Sequence, residues 1–188
     1  VALQEEEPQN TIEPVTQIAE EASSDAHPIE LNIDPKRHEE IRSSYKDEQD
    51  KENERRIRMV VEYIHFYMPR IADEETVNHV CNEVSNWMNK NNYKPKPIKR
   101  RLTQDISNIP LRHFIWNIAE RCMYKRYYNG DNRARFVKEL FPREFAETDI
   151  ATIKNFKVEP LKTLIPIDEP ENGNLDFHYP ADYVREKQ

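Results

Sequence analysis

Apolar residues recur at intervals of three and four along the middle of this chain, a period typical of amphipathic helices. The first predicted helix begins within residues 50–56, and Pro69 kinks or ends it. Asp73 is suited to cap a second helix, with Glu74 and Glu75 in its first turn. The two stripes consist of Ile57, Val60, Val61, Ile64, Tyr67, Met68 and Ile71, and of Val77, Val80, Cys81, Val84, Trp87 and Met88.

Three more helices are predicted downstream. The third begins near residues 108–110, where Pro110 suits a first turn. A turn at Asn129-Gly130 precedes the fourth, capped by Asp131 or Asn132, and Thr148 or Asp149 opens a short fifth helix. Their stripes are Leu111, Phe114, Ile115, Ile118, Ala119 and Cys122, then Phe136, Val137, Leu140 and Phe141, then Ile150, Ile153 and Phe156.

The pattern therefore predicts an all-α fold, with a single compact domain of about five helices over residues 51–158. Residues 1–50 are acidic, poor in aromatics and interrupted by prolines, which predicts a largely disordered tail. Residues 159–188 contain four prolines, which predict an extended C-terminal segment. In that segment Thr163–Ile167 and Leu175–Tyr179 could form a loose hairpin around Asn172-Gly173.

Charge is segregated along the chain. Residues 1–50 carry 4 Lys and Arg against 14 Asp and Glu, whereas residues 90–138 carry 13 against 3, a net charge of +10. The total of −7 hides this basic centre. Such asymmetry predicts an anionic partner for the centre, or an acidic tail that folds back on it.

The basic centre is the candidate binding site. Clustered cations bind phosphate, and the tyrosines among them at 93, 124, 127 and 128 can stack on unpaired bases. The alternatives are a solvated face paired with the chain's own acidic tail, or an acidic protein surface as partner. The predicted phosphate contacts are Lys94, Lys96, Lys99, Arg100, Arg101, Arg133, Arg135 and Lys138.

The last two helices suggest a helix-turn-helix. With its apolar residues turned inward, the fifth helix would present Thr152 and Asn155 to base edges and Lys154 to phosphate. The connection through residues 142–147 is longer than usual for such a motif, and many helix pairs serve only as core.

Catalytic chemistry has little support in the sequence. With only two glycines, at 130 and 173, neither a P-loop nor a dinucleotide-binding turn can be written. His79 and Cys81 diverge by about 200° on a helix and cannot share a metal ion. We therefore expect no enzyme, no metal site and no cofactor.

The sequence gives a general indication of the cellular compartment and little about the oligomeric state. The two cysteines lie on apolar stripes and read as buried thiols in a reducing compartment, with a disulfide less favoured. No apolar run reaches the roughly 18 residues of a membrane span, and no secretion signal is visible. The expectation is a cytoplasmic protein without membrane contact, and a homodimer stays open.

One stretch of the chain combines apolar helical segments with an Asn-Gly turn in a pattern typical of a known family. Phe114–Ala119, Asn129-Gly130, Phe136–Phe141 and Thr152–Phe156 together resemble the C-terminal helical module of RteC-type regulators from Bacteroidetes conjugative elements. The resemblance covers Leu111–Phe156, about a quarter of the chain. It implies a helix-turn-helix DNA-binding role in the regulation of a bacterial mobile element.

Together these features predict a DNA-binding accessory or regulatory protein whose acidic tail weakens non-specific binding. The alternative is a non-enzymatic module that binds other proteins, in which the tails are ligands and the basic loop docks on an acidic surface.

Overall fold

The computed structural model describes residues 34–90, 92–103, 106–155, 163–181 and 183. Within those ranges five α-helices form and no strand is longer than an isolated bridge, which confirms the all-α prediction. Short 3₁₀ turns lie at Met68–Arg70 and Lys125–Tyr127. The helices are α1 (Pro35–Tyr67), α2 (Glu74–Asn89), α3 (Ile109–Ala119), α4 (Gly130–Leu140) and α5 (Ile150–Lys154).

The predicted stripes form the core. All six stripe residues of α2 are buried, as are all six assigned to the third stripe, because each stripe turns one helix face towards its neighbours. Trp87 of α2 stacks on Phe136 of α4 at 4.3 Å between ring centroids, and Tyr128 meets its edge at 4.8 Å. Phe156, the last apolar residue predicted for the fifth helix, lies outside the described residues.

The helix caps follow simple local chemistry. Asp73 accepts a hydrogen bond from the backbone N–H of Thr76 at 2.8 Å, and Asp149 accepts one from that of Thr152 at 2.6 Å, as predicted. The cap of α4 is different from the prediction of Asp131 or Asn132. Asn129 caps this helix by accepting from the backbone N–H of Asn132 at 3.1 Å.

Helix α1 begins at Pro35, well before the predicted start at residues 50–56 and inside the stretch expected to be a disordered tail. The side chain of Asp34 caps it, and Pro35 occupies the first turn, where its missing N–H costs no hydrogen bond. Glu, Lys, Arg and Gln supply good helix propensity between residues 36 and 52. Residues 34–48 are exposed on every side, so local propensity rather than packing shapes this half of the helix.

The C-terminal segment packs onto the helices, and the predicted hairpin does not form. Its two arms, Thr163–Ile167 and Leu175–Tyr179, are not paired; one isolated bridge joins Glu171 to Asn174 in the connection between them, where Gly173 has φ of +80°. Ile165 and Phe177 are nonetheless buried in the core, and Phe177 stacks on Tyr63 at 4.0 Å. Each arm is therefore held by the helical body rather than by the other arm.

Arg121 makes that attachment. Its side chain is fully buried just after α3, and its guanidinium lies 3.8 Å from the ring centroid of Phe177. On one arm it donates to the carboxylate of Asp168 at 2.9 Å and to the carbonyl of Asp168 at 2.8 Å. On the other arm it donates to the carbonyls of Leu175 at 2.8 Å and Asp176 at 3.2 Å. A fifth bond to the carbonyl of Asn117 uses the last N–H of the guanidinium.

Neighbouring polar groups complete the attachment. Asn117 donates to the hydroxyl of Tyr63 and to the carbonyl of Pro166, both at 2.8 Å, and accepts from the backbone N–H of Asp168. His113 is buried, and its ring nitrogen Nδ1 lies 2.9 Å from the carbonyl oxygen of Ile165. Side chains of α3 and of the turn after it thus satisfy several backbone polar groups of the extended segment.

None of the helices among the described residues combines the length and the apolarity that a membrane crossing requires.

Replacing Arg121 by Met is expected to lower the free energy of unfolding by about 3–5 kcal/mol, because Asp168 then stays buried without its cation. Urea denaturation followed by tryptophan fluorescence measures the loss. Arg58→Met is the matched control, since the Arg58 side chain is 71% exposed on α1, and its effect should stay within about 0.5 kcal/mol. A loss below about 1 kcal/mol in Arg121→Met would contradict the role given to this residue.

A second prediction concerns pH. The hydrogen bond from His178 to Asp168, 2.7 Å long, and the charge of Asp168 raise the pKa of His178 above 6.5. Its stabilising contribution is therefore complete below pH 6.5 and is lost as the pH rises through the raised value. His113 acts in the opposite direction, because burial lowers its pKa. The difference in unfolding free energy between wild type and His178→Gln should therefore shrink between about pH 6 and pH 8; a constant difference would disprove the linkage.

Candidate nucleic-acid interface

An extended segment, residues 93–102, carries most of the predicted phosphate contacts and runs between α2 and α4. We call it the basic segment. Glu83 of α2 fastens its beginning. This carboxylate is only 4% exposed and accepts hydrogen bonds from the hydroxyl of Tyr93 and the backbone N–H of Lys96, both at 2.8 Å. Further along, the N–H of Ile98 donates to the carbonyl of Leu140 at 2.9 Å. The backbone is therefore held on both sides, although it belongs to no helix.

Anchored and exposed positions alternate along this segment. Pro95, Ile98 and Leu102 are buried, and the side chains between them turn outward. The exposed cations at these outward positions are Lys94, Lys96, Lys99, Arg100 and Arg101.

Arg100 differs from the other cations of the segment, because its charge is already matched. It lies 2.9 Å from the carboxylate of Asp73 and also pairs with Glu75 at the start of α2. The hydrogen bond from Thr76, reinforced by Arg100, lowers the pKa of Asp73 to about 2. Arg100 therefore ties the segment to the N-terminus of α2, and its prediction as a phosphate contact loses support.

The cations predicted on α4 and α5 are mostly engaged within the protein. Arg133 is 18% exposed and lies 3.6 Å from Glu120, and Lys138 donates to the carbonyl of Thr148. Lys154 pairs with Asp131 at 3.0 Å. Arg135 is exposed, and it is the cation of the predicted α4 set that turns outward.

The second helix of the predicted helix-turn-helix is α5, and it is short. Helix α5 has five residues, Ile150–Lys154, and Asn155 already caps its C-terminus. Thr152 is occupied on its backbone, where its N–H bonds Asp149 and its carbonyl accepts from Arg112 at 2.7 Å. A helix of five residues offers few successive side chains to a major groove. The side chains of Thr152, Lys154 and Asn155 are exposed, and their assignment as base and phosphate contacts stays a prediction.

A groove of about 340 Å³ lies where the basic segment meets the N-terminus of α4. Tyr93 and Tyr127 line it, and Phe136 and Asn132 belong to the same lining. The cations on this groove are Lys94 from the segment, Arg126 from the 3₁₀ turn and Arg135 from α4. We call this site the tyrosine groove. The alternation of tyrosines with cations was visible in the sequence. Which of these residues lie on the same surface was not.

The four tyrosines of the basic centre differ in their exposure to solvent. Tyr128 is buried, and its hydroxyl donates to the carbonyls of Trp87 and Met88 at 3.0 and 2.8 Å. Tyr124 is 51% exposed and meets the edge of Tyr127 at 6.2 Å. Tyr93 and Tyr127 are partly buried and keep part of each ring at the surface.

A second, wider groove of about 740 Å³ lies on the α2 side of the segment. Its lining includes His79, which bonds the carbonyl of Lys96 at 2.9 Å, and also Lys96 and Lys99. The exposed lysines of the segment therefore border both grooves, so the cations form a continuous run along one extended chain.

The two thiols have the character of buried apolar groups. Cys81 and Cys122 are free and buried, and burial raises the pKa of Cys81 to about 11 and that of Cys122 further still. Both thiols are therefore mostly protonated at neutral pH, and the thiolate is the reactive form of cysteine. No cluster of three or more His, Cys, Asp and Glu able to hold a metal ion occurs in the part of the chain that is described.

Glu83→Ala is expected to destabilise the protein by about 2 kcal/mol, because two buried donors lose a charged acceptor. The loss should be local as well, with the amide of Lys96 exchanging its hydrogen at least about tenfold faster by mass spectrometry or NMR. Glu54→Ala, whose side chain is 69% exposed on α1, is the control. Unchanged exchange at the amides of Lys96, Ile98 and Lys99 in Glu83→Ala would show that this carboxylate does not fix the segment.

No family model, no curated protein and no solved structure matches this chain. What the protein does is therefore inferred from its own charges, contacts and grooves.

Proposed function

We propose that this protein binds nucleic acid through the phosphate backbone, using the exposed cations Lys94, Lys96, Lys99 and Arg101 together with Arg126 and Arg135. The observation that carries the proposal is the anchored basic segment. Buried Glu83 and the bond from Ile98 to Leu140 fix the backbone, while Lys94, Lys96 and Lys99 point to solvent without an ion-pair partner among the described residues. Cations held on a fixed backbone bind phosphates with less loss of conformational entropy than cations on a mobile tail.

Charge accounting supports a smaller binding surface than the sequence suggested. Much of the net charge of +10 over residues 90–138 is used internally, by Arg121 in the core and by Arg100, Arg133 and Lys138 in contacts with their neighbours. Among the other cations, Lys94, Lys96, Lys99, Arg126 and Arg135 border the two grooves. Contacts of this kind are to phosphate, so the proposed binding has little sequence preference.

Three earlier expectations stay predictions. Residues 1–33 lie outside the described residues, and residues 35–50 form the exposed half of α1, so masking of the basic segment by the acidic tail is untested. The regulatory role in a mobile element and the cytoplasmic location also stay predictions.

A protein-binding role has one specific observation in its favour. The first half of α1 packs on nothing among the described residues, and Ile41 and Tyr45, one turn apart, are 61% and 63% exposed. The exposed ring of Tyr124 lies nearby, with its hydroxyl 3.2 Å from Gln49. Isolated helices of this length are marginal in water, so a partner on this face would stabilise it. This role is the alternative if nucleic acid does not bind.

The proposal is tested by fluorescence anisotropy of labelled DNA over a salt series. Binding should weaken with salt along a log–log slope of about −3 to −5, as expected for some four to five phosphate contacts. The variant Lys96→Glu/Lys99→Glu/Arg101→Glu should weaken binding more than about tenfold at 50 mM salt and flatten the slope by about 2 to 3.

The control carries the same charge change elsewhere. Lys36→Glu/Arg42→Glu/Arg58→Glu alters three exposed cations of α1. The affinity of this control for DNA should stay within about threefold of the wild-type affinity. Absence of wild-type binding at about 50 mM salt, or equal losses in both triple variants, would overturn the proposal and favour the protein-binding role.

A further inference from the structure

We infer that the tyrosine groove receives an unpaired base, so that the nucleic acid preferred by this protein is single-stranded. The inference rests on the proposed function and names its substrate class. A depression of about 340 Å³ is large enough for a planar ring system, since small-molecule sites begin at about 300 Å³. The groove lies at the start of the basic segment, so a strand whose phosphates follow residues 94–101 passes directly over it.

The two tyrosine rings are held in place before any ligand arrives. The hydroxyl of Tyr93 donates to buried Glu83 at 2.8 Å. The hydroxyl of Tyr127 accepts from Arg126 at 2.8 Å, and the same guanidinium lies 4.7 Å from the ring centroid. Asn132 also donates to the carbonyl of Tyr127. Because the side chains are already ordered, a base that stacks on them costs little further rotamer entropy.

Several hydrogen-bonding groups of the groove are committed, and its charged lining consists of Lys94, Arg126 and Arg135 with the carboxylates of Asp131 and Glu139. The ring faces open to a base are those that Arg126 leaves free on Tyr127 and Lys90 leaves free on Tyr93. Asn129 caps α4, and the side-chain oxygen of Asn132 accepts from the indole N–H of Trp87 at 2.9 Å. Asp131 is paired with Lys154, so its negative charge is balanced. Stacking on a tyrosine face tolerates any base, because every base has a π-face. The site therefore selects for an accessible base rather than for its identity.

Duplex DNA cannot use this site without a cost. Its bases are stacked and paired inside the helix, and extruding one requires a few kcal/mol of unstacking and unpairing. A duplex therefore reaches only the cations, whereas a single strand reaches the cations and the rings together. The combination of a basic track with aromatic platforms is the arrangement that favours single strands.

The first experiment compares four probes of equal length by anisotropy at fixed salt: a thymidine 20-mer, its RNA counterpart, a duplex, and an abasic 20-mer that keeps the phosphates. Wild type should bind the two single strands at least about tenfold more tightly than the abasic strand. A difference between the DNA and RNA strands identifies the natural class. Equal binding of the thymidine and abasic strands would disprove the base site.

The second experiment uses variants of the groove. Tyr127→Leu should weaken single-strand binding by about 5- to 100-fold, the usual effect of removing one stacking ring, and should weaken abasic binding much less. Tyr127→Phe keeps the ring and should stay within about twofold of wild type. Tyr124→Leu is the matched control, because this ring neighbours Tyr127 but does not line the groove. Equal effects of the Leu and Phe variants at 127 would overturn the inference.

The two proposals fail in different ways. Salt-dependent binding of every probe, sensitive to Lys96, Lys99 and Arg101 but not to Tyr127, would leave phosphate binding in place and remove only the base site. Absence of binding to all four probes would remove both. Thermal melting of Tyr127→Leu and Tyr93→Leu ensures that lost binding is not lost folding. Tyr93→Leu removes the second ring and supplies an independent test should Tyr127→Leu unfold, with Tyr93→Phe as its ring-preserving control.

Discussion

The described structure depends on one interaction, the buried ion pair between the guanidinium of Arg121 and the carboxylate of Asp168. Desolvating a charge is costly unless it is paired and fully hydrogen-bonded, and Arg121 meets both conditions with the Asp168 carboxylate and four backbone carbonyls. Burial lowers its pKa, and the charge of Asp168 acts in the opposite direction. The same contacts order some ten residues of extended chain that have too little apolar surface to fold alone. The helices and the C-terminal segment therefore form one unit.

A buried charged side chain also holds the basic segment, but here the buried charge is negative. Arg121 holds one extended segment against α3, whereas Glu83 holds another against α2 through the hydroxyl of Tyr93 and the amide of Lys96. In each case a buried ionic side chain of the helical body satisfies polar groups that a sheet would otherwise pair. Prolines prevent both segments from becoming helical, and their fixed φ angles limit the entropy lost when the segments dock. A surface of outward cations on a stiff backbone is the consequence.

The tyrosine groove arises at the contact between this segment and α4. The N-cap of α4, Asn129, and the 3₁₀ turn before it place Arg126 and Tyr127 opposite Tyr93 and Lys94. The elements that form the groove are joined to the core by Trp87, which stacks on Phe136 and donates to Asn132. Its rigidity therefore follows from core packing rather than from the surface residues themselves, and this connection gives the proposed base site its preformed shape.

The sequence by itself determined the local features of this protein. The stripe from Val77 to Met88 and the caps Asp73 and Asp149 follow from helical period and side-chain hydrogen bonding within a few residues, so they were predictable. The early start of α1 at Pro35 was also encoded locally, but high charge and few aromatics concealed it. Only the tertiary structure decided the rest. Arg101 and Arg121 look alike in the sequence, yet one is exposed and the other has no exposed side-chain surface. Which arginine enters the core depends on Asp168, 47 residues beyond it, because a buried charge needs a partner that only folding brings near.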